Sequence, residues 1–191
     1  PKFTDFFLTN PIRMSDPGSF DITHLSYQQK SLASDWLEKA YQRNWFKLFL
    51  PKSLGGLELT LAEGLEQIRL ASEIHGSLGW CINLGSGAGY FYRCFQADTA
   101  NKLFAEPKAV LAGSGQASGK AIAVEGGFRI SGSWDKCSGA AYATAFTGNA
   151  VFEDGKVHSV VFMRNQVQIE DNWNMFGMKA TSSFQFDVDQ V

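Results

Sequence analysis

Cysteine, histidine and long apolar runs are all scarce in this sequence, and each shortage removes a class of protein. The three cysteines, Cys81, Cys94 and Cys137, are widely spaced and make no Cys-x-x-Cys pair. That excludes a disulfide framework and a zinc knuckle and leaves a reducing cytoplasm as the expected compartment. The three histidines, His24, His75 and His158, never take the His-x-x-x-His spacing that places two ligands on one helical face, so no metal site is expected. Hydrophobic residues make up 45% of the chain, with 16 Phe and 5 Trp among them. Yet no stretch reaches the roughly 20 consecutive apolar residues that a membrane span needs. Lys2, Asp5 and Asn10 interrupt the one N-terminal stretch that could serve as a signal peptide, and none is expected. An excess of charge is missing too: 17 Lys and Arg against 19 Asp and Glu give a net charge of −2. Such a balance offers no surface for tracking phosphates, so nucleic acid is not an expected partner.

What is present is a change of periodicity. A chain of 191 residues can bury roughly two-thirds of its unfolded surface, enough for one or two cores without covalent staples. A helical pattern starts after Asp21, with Ala33, Trp36, Leu37, Ala40 and Tyr41 on one face and Gln29, Lys30, Asp35, Glu38 and Lys39 on the other. Pro51 and the Gly55-Gly56 pair enforce a loop. Thr60-Leu61-Ala62-Glu63 fits a capping box, after which Leu61, Leu65, Ile68 and Ser72 are predicted to share one face as far as His75-Gly76. A further segment covers 77–84, and Asp98 is placed to cap a short helix over 99–105, closed by Glu106-Pro107.

Beyond Pro107 the repeat shortens to that of a strand. Residues 121–124 and 128–134 flank Glu125-Gly126-Gly127 and predict a hairpin, with Phe128, Ile130 and Trp134 on one face. A second hairpin is predicted from 142–152 to 157–163, because Asp154-Gly155 supplies the positive φ such turns require. Phe184, Phe186 and Val188 alternate again. The expected architecture is α+β, an all-helical unit over 1–108 followed by an antiparallel β-barrel or sandwich unit over 109–191.

The strings Leu50-Pro51-Lys52-Ser53-Leu54-Gly55-Gly56-Leu57-Glu58-Leu59-Thr60 and Gly76-Ser77-Leu78-Gly79-Trp80 resemble the first domain of the acyl-CoA dehydrogenase superfamily. Residues 126–134, Cys137-Ser138-Gly139 and residues 171–183 resemble its β domain, so the resemblance covers essentially the whole chain. Acyl-CoA dehydrogenases usually open that domain with Thr-Glu-Pro and Gly-Ser-Asp, where this chain has Gly113-Ser114-Gly115-Gln116-Ala117-Ser118-Gly119. The spacing of Trp134, Ser138 and Gly139 is instead similar to the two-component flavin-dependent aromatic monooxygenases. Two positions depart from that branch: Ala117 stands where proline is common, and Lys179 stands where arginine is usual, giving a point charge in place of a planar fork.

The resemblance implies a flavin oxidoreductase using FAD or FMN, most closely a monooxygenase that takes reduced flavin from a separate reductase and acts on a small aromatic substrate. It also implies a homotetramer for the complete protein. An acyl-CoA dehydrogenase acting on an acyl thioester and a catalytically inactive assembly module are the alternatives. Nothing in the sequence corresponds to the family's C-terminal four-helix bundle, the β unit is expected to be incomplete at its C-terminal edge, and no catalytic residue is assigned.

A flavin ring needs an apolar wall together with partners for its polar edge, since each unpaired polar atom in a dry pocket costs about 1–3 kcal/mol. By the resemblance, Trp134 supplies the wall, Ser138 lies near flavin N5, Ser114 lines the same pocket, and Trp80 approaches from the helices. Thr181 and Ser183, in the loop 181–183, offer hydroxyls to phosphate or ring oxygens. Each has a plainer reading: a core tryptophan, a serine capping its own turn, a polar turn before a strand. Gly85-Ser86-Gly87-Ala88-Gly89 follows a helix and is read as close packing, because a dinucleotide loop follows a strand. Cys137 is read as an inert filler.

Overall fold

The α-helices precede the strands in the structure, a computed structural model that describes residues 26–191. The helices are α1 (Ser34–Gln42), α2 (Leu61–Ile74), α3 (Gly76–Ala88) and α4 (Ala97–Phe104). The strands are β1 (Leu111–Gly113), β2 (Gly119–Val124), β3 (Gly127–Cys137), β4 (Ala145–Val151), β5 (Val157–Met163), β6 (Gln168–Glu170) and β7 (Phe184–Val188). Among the described residues no helix is long and apolar enough to cross a membrane. The α+β class is as expected.

The helix predicted from Asp21 starts outside the described residues and is broken within them. Lys30 takes a positive φ of 53°, and the buried Ser26 holds the break, its hydroxyl accepting from the Ala33 amide at 2.9 Å. Helix α1 then starts afresh at Ser34 and turns Trp36 and Ala40 inward. The capping box of α2 is formed as predicted: Thr60 Oγ1 accepts from the Glu63 amide, and the Glu63 carboxylate accepts from the Thr60 amide at 2.8 Å. Its buried face differs from the expectation, since Leu61 and Leu65 are 57% and 51% exposed while Gly64, Gln67 and Ala71 face in. Gly64 gives the reason. A Cβ there would fall 2.1 Å from the Phe49 ring, so the small-residue face is the one that lets α2 approach its neighbours.

His75 ends α2 and begins α3. Its Nδ1 accepts from the Ser77 amide at 3.2 Å, which leaves the ring proton on Nε2, 3.3 Å from the Tyr27 hydroxyl. The ring packs 4.8 Å from that of Trp36, and burial lowers its pKa. The N-cap position of α4 is Gln96, which makes no side-chain cap bond, and Asp98 lies inside the first turn, one correction to the predicted cap. At its far end the buried Lys47 ammonium donates to the carbonyls of Phe104 at 2.7 Å and Glu106 at 2.6 Å, filling acceptors that a helix end otherwise leaves open.

The seven-stranded sheet runs β1-β4-β2-β3-β7-β6, with β5 on β4. Both predicted hairpins form, β2 with β3 and β4 with β5, and Phe184, Phe186 and Val188 are the buried positions of β7. The sheet is mixed, which corrects the purely antiparallel expectation. Strands β1 and β2 lie one after the other along the same edge of β4, both parallel to it, because β5 occupies the opposite edge. Residues 114–118 leave the sheet between them.

Trp134 is fully buried, stacked on Phe186 with ring centres 4.9 Å apart, and its indole N–H donates to the Asn149 carbonyl at 3.0 Å. The slot that holds it is made of glycines. A Cβ at Gly119, Gly132 or Gly148 would lie 2.4, 2.7 or 2.6 Å from the indole.

Gly148→Ala is expected to cost about 1–3 kcal/mol, the usual penalty for overpacking a filled core, seen as a lower denaturant midpoint at unchanged slope. Wild-type stability in that variant would show that the indole has room to move. For His75, the unfolded ring takes up its proton near its ordinary value while the folded ring resists. Stability is therefore complete above about pH 6.5 and falls as the pH drops through the lowered folded value. Asn caps a helix without titrating, so His75→Asn should reduce the difference in Tm between pH 8 and pH 5.5; an unchanged difference would assign the acid sensitivity elsewhere.

Candidate functional site

The C-terminal half of α3 stands off the sheet and leaves a cavity of about 740 Å³ between the two. The spacing comes from glycines with different roles. A Cβ at Gly85 would strike Phe46 at 2.7 Å and one at Gly89 would meet Leu50 at 3.3 Å, whereas one at Gly87 meets nothing within 4 Å. The glycine-rich run is thus a helix seated closely on one side and open to the cavity on the other. Leu84, Phe91, Phe95, Val160 and Val161 form an apolar wall, and Asn83, Ser114, Ser138, Thr147, Asn149 and Ser159 bring polar groups.

Ser114 reaches the cavity because the chain leaves β1 there. Its amide donates to the Thr147 carbonyl at 3.0 Å, and Asn149 closes the gap by donating from its side-chain amide to the Gly115 carbonyl at 3.0 Å. Asn149 also accepts from the Ser159 hydroxyl at 2.8 Å. Neither Asn149 nor Phe91 was singled out from the sequence. The signal for Asn149 is legible in retrospect, a lone amide in the strand Ala145-Phe146-Thr147-Gly148-Asn149-Ala150-Val151.

Ser138 follows β3 and is 8% exposed, lining the same cavity. A register shift between Trp134 and Cys137, with Lys136 at φ 60°, brings it there, and Gly139 at φ 85° turns the chain away. From Ser138 a line of hydrogen bonds runs in two directions. The Trp80 indole N–H donates to its Oγ at 3.0 Å, and that oxygen lies 2.8 Å from Ser183 Oγ. Ser183 Oγ lies 2.6 Å from Thr181 Oγ1, which donates to the Met178 carbonyl at 2.8 Å.

The sequence candidates therefore separate into three groups. Ser114 and Ser138 line the cavity. Trp80, on α3 and 43% exposed, reaches Ser138 from the helical side, while Thr181 and Ser183 are buried behind it and connect to the cavity through Ser138. Trp134 is a correction: its ring fills the sheet core and does not line the cavity, because the glycine slot draws it inward. Burial pushes the Cys81 thiol up to about 12 and the Cys137 thiol higher still, so neither is an available thiolate near neutral pH.

No protein-family model matches the chain. Residue by residue it is 33% identical over 146 residues to a pigment production hydroxylase of a Rhodococcus species, an alignment covering 74% of this chain and 38% of that protein. It is 28% identical over 144 residues to the oxygenase subunit HsaA of a flavin-dependent monooxygenase of Mycobacterium tuberculosis, covering 73% of this chain and 36% of the relative. Among solved structures, XiaF from a Streptomyces species, in complex with FADH2 and glycerol, superposes with a TM-score of 0.83 at 25% identity, covering 92% of this chain and 46% of XiaF. The chain thus spans well under half the length of the curated relatives it matches. These relatives and structural neighbours are acyl-CoA dehydrogenase-like flavin-dependent monooxygenases, the branch that the sequence strings resemble.

Proposed function

We propose that this chain, a relative of the flavin-dependent monooxygenases built on the acyl-CoA dehydrogenase fold, forms the helical (1–108) and β (109–191) units of an oxygenase. That oxygenase takes reduced FAD or FMN from a separate reductase and hydroxylates a small aromatic substrate. The observation that carries the reading is the two-sided cavity, apolar along Leu84, Phe91, Phe95, Val160 and Val161 and hydroxyl-bearing at Ser114 and Ser138. Its volume of about 740 Å³ lies within the roughly 300–1,000 Å³ typical of small-molecule sites. The groups present fit a flavin ring, which has flat apolar faces and a polar nitrogen and oxygen edge.

A bound reduced flavin supplies two electrons to dioxygen, so that one oxygen atom enters the substrate and the other leaves as water. The chain's own residues hold and orient. Phe91 and Phe95 line the apolar side of the cavity and offer ring faces to an aromatic guest. Ser138 fixes the ring edge, and its hydroxyl is itself held at both ends by Trp80 and Ser183. Trp134 acts one layer behind, since its N–H grips the Asn149 carbonyl on the cavity-lining strand. The full-length protein is read as a homotetramer, the state the resemblance implies, and as cytoplasmic from its few, unpaired cysteines.

Gly87→Ala separates binding from folding. The new methyl enters open space on a helix, where alanine is favoured over glycine by about 0.5–1 kcal/mol. The full-length variant should therefore melt no lower than wild type yet bind reduced flavin or an aromatic substrate about tenfold more weakly, a loss of ~1.4 kcal/mol. Unchanged affinity for both would place the ligand elsewhere. Supplying the full-length protein with reduced flavin, a panel of phenols and indoles, and isotopically heavy dioxygen should give a hydroxylated product carrying one heavy oxygen; label only in water would overturn the oxygenase reading.

A further inference from the structure

The hydroxyl line behind the cavity has a direction, and the direction follows from its ends. The Trp80 indole N–H can only donate, and the Met178 carbonyl can only accept. Each of the three hydroxyls between them owns one proton. Thr181 Oγ1 spends its proton on the Met178 carbonyl at 2.8 Å, so the 2.6 Å contact with Ser183 must be donated by Ser183. The 2.8 Å contact between Ser183 and Ser138 must then be donated by Ser138. Ser138 keeps one free lone pair, since Trp80 occupies the other at 3.0 Å, and it has no proton left to give.

The Met178 carbonyl owns no proton, so only the Thr181 hydroxyl can fill their 2.8 Å contact, although the Trp173 indole N–H at 3.0 Å and the Thr181 amide at 3.2 Å share the same oxygen. Thr181 and Ser183 are both buried, so no water is at hand to reverse the order.

We propose that this one-way line makes Ser138 an acceptor-only group in the cavity and so selects ligands that present an N–H over ligands that present a bare nitrogen or carbonyl. The proposal rests on the flavin reading above and sharpens it. A reduced flavin carries an N–H at N5, whereas the oxidised ring carries a lone pair there. Ser138 accepts from the first and faces the second lone pair to lone pair. Ser183 and Thr181 are then positioning residues: they never touch the ring, and they decide what Ser138 can offer it.

The test is the ratio of Kd values for oxidised and reduced FMN or FAD, measured anaerobically on the full-length protein. Wild type should bind the reduced form at least about tenfold more tightly, equivalent to raising the bound two-electron midpoint potential by about 30 mV over free flavin. Ser183→Ala frees the Ser138 proton to turn toward the ring, and the ratio should fall severalfold toward one. Thr181→Val lets Ser183 donate back to Ser138, with the same effect, and serves if Ser183→Ala does not fold. Trp80→Phe removes the donor end but leaves the acceptor end in place, so the ratio should stay within about twofold. Equal weakening of both redox forms in Ser183→Ala and Thr181→Val, or wild-type ratios in both, would overturn the proposal while leaving the flavin reading intact. Failure of wild type to bind flavin in either state would overturn both.

Discussion

The indole of Trp134 is the constraint on which the sheet depends. Its ring is too large to share an interior with ordinary side chains on the neighbouring strands, so β2, β3 and β4 each present a glycine to it. Phe186 on β7 stacks on it and Phe162 on β5 packs beside it. One side chain thereby sets the approach of five strands. Its single polar atom is satisfied by the Asn149 carbonyl, in keeping with the cost of leaving a buried N–H unpaired.

That hydrogen bond links core to cavity. Asn149 is held by the indole through its carbonyl and holds Gly115 and Ser159 through its side chain, so the polar rim of the cavity is pinned to a fully buried ring in the sheet. The helical side is tied in separately. Helix α3 carries Trp80 to Ser138, and the Cys81 thiol points at the Thr181 carbonyl at 3.8 Å. The Lys30 carbonyl, at the break before α1, accepts from the Ser182 amide at 2.9 Å. Helices and strands thus meet through the loop that carries the hydroxyl line, and the cavity opens where they part.

Much of this was legible in the residues. The α2 capping box, both hairpins, the alternation in β7 and the end of α4 before Pro107 follow from local chemistry, which depends on neighbours in sequence. What was not legible depends on neighbours in space. Leu61 and Leu65 have the spacing of a buried stripe, but Gly64 opposite Phe49 makes the small-residue face the closer fit. The parallel pairing of β1 and β2 with β4 could not be read from hairpin turns, because neither strand is joined to β4 by one. The resemblance brought Ser114 and Ser138 into consideration, and the structure sets both on one cavity. It did not show that Thr181, Ser183 and Trp80 converge on Ser138, since that depends on the angle between α3 and the sheet.

The placement of Trp134 and Ser138 shows how one residue of backbone can decide what a motif means. The resemblance put Trp134 and Ser138 at one pocket, and in a regular strand residues four apart do point to the same face. Here Trp134 pairs with Phe186 and Cys137 with Phe184, three steps on β3 against two on β7. The extra residue is a bulge, and Lys136 absorbs it at φ 60°. With the phase shifted, Trp134 and Cys137 both turn into the core and Ser138 is released toward the cavity. A slip of one residue exchanges the faces of everything after it. The bulge is therefore what allows a single short string to supply the sheet with its largest core side chain and the cavity with its best-held hydroxyl.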